Sequence, residues 1–278
     1  MEGNWIESDA GLPEVPLEGG DVTEGLVRVG DTVRRPRLPS SNGVRLLLEH
    51  LERVGFDGAP RHLGVDARER DVLSYVDGEV ATRPWPEWVA DEGRLVSLAR
   101  LVRRYDDAAV LAGLPEWAEE LRPVHPPGSP SSTAPAARFL AHLDITPENV
   151  VFRDGTAQSL IDFDLARPAT RVEEMANLLL WWAPWMPVED RQDALREADP
   201  FRRARLAVEA YGLSAEDRAL LVPVSRNIAD RSWFSMRHRA ETLGGGWRRM
   251  WDEGVGDVIL RRREWLAAHA RELDASVR

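Results

Sequence analysis

The chain has 278 residues, 43% hydrophobic and 30% charged, with a net charge of −11 and no cysteine. This is the composition of a folded globular protein, long enough for one large fold or for two lobes sharing a cleft. It excludes a disulfide scaffold and a cysteine-ligated metal site, and it argues against nucleic acid as a partner, because phosphate binding takes concentrated Lys and Arg; a cationic ligand is compatible with it. No apolar run approaches the ~20 residues of a membrane span. The start, MEGNWIESDAG, lacks the basic and apolar regions of a secretory signal, so the expected location is cytoplasmic, without a membrane partner.

In chain order, GLVRVGDTVRRP holds two short Val-containing runs around Gly30-Asp31, which predicts a tight hairpin, and Pro36 ends the second strand. Ser41 or Asn42 then caps a helix whose apolar face is Val44, Leu47, Leu48 and Leu51, closed by Gly55. RDVLSYV reads as the last strand of the N-terminal part and ends at Asp77-Gly78. Leu95, Leu98, Val102 and Tyr105 then mark one helical face. RPVHPPGSPSSTAPAA reads as a surface connector. MANLLLWWAPWM is too short to span a membrane and reads as a buried helix; Trp85, Trp88, Trp117, Trp181, Trp182 and Trp185 read as core. Helical periodicity returns over 202–211 and 247–273, and Ser214 with Asp217 suggests a capping box. Strands with one helix, then helices interrupted by two short strands, suggest an α+β protein of two lobes.

The chemistry concentrates in AHLDITPENVVF and the following SLIDFDLARP. His142, Asp144 and Asn149 precede a β-rich apolar run, and Asp162 lies inside a second run. RDGTAQ joins the two with an Asp154-Gly155 turn signal, so a hairpin brings Asn149 and Asp162 to the same end. A carboxylate and an amide oxygen there suit Mg²⁺, which takes a few protein oxygens and completes its shell with water and substrate phosphates. Asp144 stands just before this corner, where it can orient a hydroxyl and accept its proton.

HLDITPENVVF with IDFD resembles the catalytic loop and metal-binding strand of the aminoglycoside phosphotransferase family, which is similar to choline kinases and, more distantly, to protein kinases. The resemblance spans roughly residues 17 to 185. It implies a protein kinase-like fold, with a small β-rich N-lobe over residues 1–78 and a larger, mainly helical C-lobe over 79–278. It implies transfer of the γ-phosphoryl group of ATP or GTP to a hydroxyl of a small molecule, such as an aminoglycoside-like antibiotic, a sugar or an amino alcohol. Carried over by position, Asp144 is the catalytic base, His142 braces its loop, Asn149 and Asp162 hold Mg²⁺, and Asp164 assists with metal or substrate. Nucleotide phosphates fall to Arg34, by the family's Arg-apolar-Pro ending, or to Arg35 if the register differs by one. Backbone groups of Ser74, Tyr75 and Val76 fall where the family holds the purine. Gly19, Gly20 and Gly25 fall where a loop covers the phosphates.

One departure is clear. The family's helix Glu, which pairs with the strand cation, is replaced by Val44. An Arg needs such a partner less than a Lys, because it stays charged and presents a planar fork to phosphate. The departure also fits an alternative, a catalytically degenerate kinase-like protein that only binds nucleotide or a small molecule; the intact Asp144, Asn149 and Asp162 oppose it. A helical scaffold with a merely capping cluster is a third reading. In the variable C-terminal part, Glu173, Glu174, Asp190, Asp230, Trp233 and Asp252 are candidate contacts for a cationic or hydroxylated acceptor.

Overall fold

The hairpin expected around Gly30-Asp31 forms from β2 (Val27–Val29) and β3 (Thr32–Arg35), with Gly30 at φ 59°. A computed structural model of the protein describes residues 12–17 and 25–278; Gly19 and Gly20 of the expected phosphate loop lie outside them. β1 (Val15–Pro16), β4 (His62–Val65) and β5 (Asp71–Ser74) complete an antiparallel sheet in the order β1-β2-β3-β5-β4. The sequence reading has no counterpart for β1 and β4. The first is two residues long and the second contains Gly64, so neither shows a two-residue apolar alternation.

Helix α1 (Ser41–Arg53) buries Val44, Leu47, Leu48 and Leu51, each side chain contributing roughly 1.5–3 kcal/mol. Its N-cap is Ser40, one residue before the expected Ser41. Ser41 Oγ instead accepts from Leu38 N at 2.9 Å, and Gly55 (φ 77°) follows the helix. Beyond Gly78 the chain is mainly helical. α2 (Glu92–Val110) buries Leu95, Leu98, Val102 and Tyr105 on the expected face, and all four are fully buried. Trp182 and Trp185 are buried in the same core, Trp85 nearly so, and Trp88, Trp117 and Trp181 pack against it.

Strand β6 (Phe139–Ala141) pairs with β9 (Arg167–Ala169), and β7 (Val150–Arg153) pairs with β8 (Thr156–Leu160). The β7–β8 turn has Asp154 at φ 50° and Gly155 at φ 72°, the positive pair of a type I′ hairpin. Helices α3 (Arg171–Trp182), α4 (Pro200–Tyr211) and α5 (Ala215–Thr242) follow, and Ser214 Oγ caps α5 by accepting from Asp217 N. The periodic stretch over 247–273 is not one helix. It divides into α6 (Gly245–Asp252), α7 (Val255–Ala268) and α8 (Ala270–Val277), because Gly254 adopts φ 94° and His269 leaves helical geometry. Among the described residues no helix is long and apolar enough to cross a membrane.

The joint between the sheet and the helical part rests on Gly78. Next to it, Glu79 and Phe152 exchange backbone hydrogen bonds of 2.7 and 2.8 Å. A Cβ at Gly78 would lie 2.5 Å from Phe152 O and 2.6 Å from Val151 Cγ1, and φ is 151°. Gly78→Ala is therefore expected to cost about 1–3 kcal/mol, read as a lowered denaturant midpoint with an unchanged slope. An unchanged midpoint would show that the joint yields.

Candidate active site

The loop from His142 to Asn149 is held in an unfavourable backbone shape by side chains from beneath. Leu143 sits at φ 58°, a conformation that costs a non-glycine residue of order 1–3 kcal/mol. Glu174 of α3 offsets this. Its two carboxylate oxygens accept from His142 N and Leu143 N, both at 2.8 Å, and the side chain is fully buried. Asn177, one turn on, accepts from Ile145 N at 2.7 Å, and Trp182 Nε1 donates to Ile145 O at 2.9 Å. Tyr105 OH donates to Leu140 O at 2.7 Å.

His142 is buried among Tyr105 and Phe163. Burial lowers its pKa to about 4, so the ring is neutral at physiological pH. Nε2 donates to Ile161 O at 3.0 Å, and Nδ1 accepts from Asp144 N at 3.3 Å. These two bonds tie the ring to Asp144 and to the residue before Asp162, and the ring has no exposed surface.

Asp144 and Asn149 are in direct contact. Asn149 Nδ2 donates to Asp144 O and to Asp144 Oδ2, both at 2.9 Å. Ile161 N donates to Asn149 O at 3.0 Å, which brings Asp162 alongside. Asp162 adopts φ 61° and ψ 77°, a second left-handed residue in the same small region. Burial, and next the Asp162 carboxylate, push the Asp144 pKa up to about 7, while the Asn149 bond works the other way.

Arg34 and Arg35 point to opposite faces of β3, as alternation along a strand requires. Arg34 is buried against Asp66 (Nε to Oδ2, 3.6 Å) and donates to Thr32 Oγ1 at 2.5 Å. Arg35 turns to the loop side, where it pairs with Asp164 and lies 3.7 Å from Asp162 Oδ1. Of the two candidates, Arg34, which the family-like ending favours, lies on the far side of β3 from the loop, and Arg35 lies on the loop side. Burial opposes the charge on Arg35, but Asp164, Asp162 and Asp71 hold its pKa above the ordinary value. Asp71 stands directly across from Arg35 on β5, a carboxylate near the cation on a strand where the helix offers only Val44.

Two atoms here have no hydrogen-bond partner among the described residues, Asp162 Oδ1 and Arg35 Nε, and both are buried. Buried polar atoms are nearly always satisfied. One is an acceptor suited to a hard cation and the other a donor suited to phosphate. Asn149 has spent its amide N–H on Asp144, which leaves its oxygen for a cation. The donor set therefore fits Mg²⁺ completed by nucleotide oxygens.

Other expected residues fall elsewhere. Ser74 N donates to Arg61 O and Tyr75 N to Asp31 O, so these N–H groups are not available to a purine. Arg28 also stacks on the Tyr75 ring at 3.7 Å. Of the three linker residues only Val76 has no backbone partner among the described residues. In the C-terminal part, Glu174 is sealed under the loop and Glu173 closes the capping box on Thr170. Asp190 pairs with Arg261, Asp230 with Arg263 and Asp252 with Arg248, and Trp233 packs on Phe234 and Trp251.

The model of the phosphotransferase enzyme family matches residues 76–211, from Val76 through the His142–Asn149 loop and Asp162 to the end of α4. The trifolitoxin immunity protein of Rhizobium leguminosarum bv. trifolii is 30% identical over 218 residues, covering 74% of this chain and 76% of that protein. The chain belongs to the phosphotransferase enzyme family. As a small-molecule kinase of that family it has the expected two-lobe, protein kinase-like fold. A choline/ethanolamine kinase family protein from Mesorhizobium loti superposes with a TM-score of 0.58 at 15% identity, over 98% of this chain and 95% of that one. The GDP complex of aminoglycoside 2′-phosphotransferase-IIIa superposes at 0.55 with 13% identity, over 97% and 94%.

Sequence reasoning missed what supports the loop of this phosphotransferase. Glu174 and Asn177 lie among the buried Val172, Met175, Leu178, Leu179 and Trp182 of α3. A carboxylate and an amide inside a buried stripe must find donors, and that was the available signal.

Proposed function

We propose that the protein transfers the γ-phosphoryl group of ATP or GTP to a hydroxyl of a small molecule, with Asp144 as general base. The observation that supports this best is the corner where Asn149 bonds Asp144 while Asp162 Oδ1 and Arg35 Nε stay unsatisfied. Asn149 and Asp162 hold Mg²⁺, which when bound neutralises phosphate charge during transfer. Arg35 presents its guanidinium to phosphate oxygens. The backbone near Val76 meets the base of the nucleotide. Asp144 orients the acceptor hydroxyl and takes its proton on the carboxylate; its pKa near 7 lets it be both ionised and basic at working pH. His142 and Glu174 keep the loop in place so that little reorganisation accompanies reaction. Such a transferase works where nucleotide is abundant, in the cytoplasm. The relative named for trifolitoxin immunity supports a protective role, with an antibiotic or toxin hydroxyl as acceptor.

The test is thermal unfolding with ATP or GTP, with and without Mg²⁺, for wild type and Asp162→Asn. Nucleotide at ~100 times its dissociation constant is expected to add about 2.7 kcal/mol, a rise of roughly 5–10 °C. The rise should need Mg²⁺ and should be absent in Asp162→Asn, whose amide keeps the left-handed backbone at little cost. No rise with either nucleotide would overturn the reading.

A further inference from the structure

Helices α3, α5 and α7 meet around a small cavity. Leu180 of α3, Ile228 of α5 and Leu266 of α7 give it apolar walls, and Trp185, from the segment after α3, closes one side. Ser225 reaches it from the same face of α5 as Ile228, and Arg262 from the same face of α7 as Leu266. None of these residues belongs to the corner of Asp144, Asn149 and Asp162.

Three polar side chains turned to this space have nothing to bond. Trp185 Nε1 and Ser225 Oγ are buried without a hydrogen-bond partner among the described residues, and the two residues are only 1% and 7% exposed. Comparable groups nearby are satisfied: Trp182 Nε1 donates to Ile145 O, and Ser232 Oγ donates to Ile228 O at 2.7 Å. Arg262 is half-buried and forms no hydrogen bond or ion pair with any described residue. Its two chain neighbours each face a carboxylate, Arg261 at Asp190 and Arg263 at Asp230. Arg203, buried elsewhere in this part of the chain, gives its guanidinium to the carbonyls of Trp182, Ala90 and Val89. Arg262 has neither kind of partner, and burial lowers its pKa to about 10 with no carboxylate acting against it.

Buried polar atoms are nearly always satisfied, so a cavity ringed by free donors calls for an acceptor. The space in which a water-sized group can be centred is ≈ 20 Å³, above the ~10–15 Å³ that one water takes. A carboxylate matches the donors, because its oxygens offer about four lone-pair sites to an indole N–H, a hydroxyl and a guanidinium fork. Phosphate brings more oxygens than these groups serve, and the apolar walls would leave the others unsolvated. An ammonium group meets donors and no anion. We propose that Trp185, Ser225 and Arg262 bind a short-chain aliphatic carboxylate of acetate to propionate size, with its alkyl end against Leu180, Ile228 and Leu266. The site shares no residue with the catalytic corner, so it stands or falls independently of the phosphoryl-transfer reading.

The probe is propionate, titrated into the nucleotide-free protein at fixed pH and ionic strength. Two signals are followed, the unfolding temperature and the nitrogen–proton NMR resonance of the Trp185 indole, assigned by its loss in Trp185→Phe. Propionate is expected to raise the unfolding temperature along a saturating curve and to move that resonance, while propionamide and inorganic phosphate do neither. Arg262→Gln and Trp185→Phe should each weaken the apparent affinity by about tenfold or more, the scale of one lost hydrogen bond to a charged group. If Trp185→Phe does not fold, Arg262→Gln decides alone, since Arg262 is half-buried and holds no other residue. The absence of a saturating shift in wild type, or equal affinity in wild type and Arg262→Gln, would overturn the proposal. So would an equal response to propionamide, which would assign the cavity to a neutral group such as water, or to phosphate, which would make the effect one of anions in general.

Discussion

Asp144→Asn is expected to reduce phosphoryl transfer by about 10²–10⁴-fold, the usual contribution of a positioned base, and at the same time to stabilise the fold. Both effects come from one feature, a half-buried carboxylate facing a second one. The Asp144 pKa rises from 3.8 to about 7, through burial first and Asp162 second. Between these values the folded protein keeps a proton that the unfolded chain releases. Stability therefore falls as pH rises through this window and levels off above about 7. Asparagine carries no charge to bury and still offers an oxygen to Asn149 Nδ2. At pH 8, in metal-free buffer, the variant should unfold about 2–8 °C higher, corresponding to about 1–2 kcal/mol. The gain should shrink toward pH 4, where wild type is protonated as well. A variant that loses activity and is less stable at pH 8 would show that Asp144 has a supporting rather than a catalytic role.

Replacing Glu174 should give the opposite combination, with loss of both stability and turnover. Its carboxylate accepts from two buried N–H groups, one of them on Leu143 at φ 58°. Burial pushes its pKa up to about 7, while the two N–H bonds oppose the rise by favouring the charged form. Glu174→Ala strands both donors, at roughly 1–3 kcal/mol each, and is expected to unfold near physiological temperature. Glu174→Gln keeps the shape but turns an amide NH₂ toward one donor. It should cost about 1–3 kcal/mol and slow turnover by about 10²-fold, the scale expected for a misplaced catalytic group. The KM for nucleotide should change little, since Glu174 lies beneath the loop and away from Arg35. Wild-type kcat together with a wild-type melting temperature in Glu174→Gln would contradict the assigned role.

The parts that were readable in the sequence are local. The Gly30-Asp31 and Asp154-Gly155 hairpins follow from residues that tolerate positive φ, and α1 and α2 follow from apolar residues at helical spacing. The cluster of Asp144, Asn149 and Asp162 was legible because its members flank one hairpin. What was not legible depends on long-range contact. Which of Arg34 and Arg35 faces the loop is decided by the pairing of β3 with β5, which places Asp71 across from Arg35. The commitment of Ser74 N and Tyr75 N depends on β4 and on the β2–β3 turn. The support from α3 joins residues about 30 positions apart. The C-terminal division at Gly254 had a local signal, a glycine within a helical period, and is a correction that sequence could have supplied.

The central claim is that Asp144, Asn149 and Asp162 form a working phosphoryl-transfer centre. It is tested most directly by following label from γ-labelled ATP and GTP with Mg²⁺, for wild type, Asp144→Asn and Asp162→Asn, with water as the acceptor. The account predicts slow, Mg²⁺-dependent release by wild type with at least one nucleotide, reduced about 10²-fold or more in both variants. Nucleotide that binds without any release, or release at equal rates in all three proteins, would contradict it.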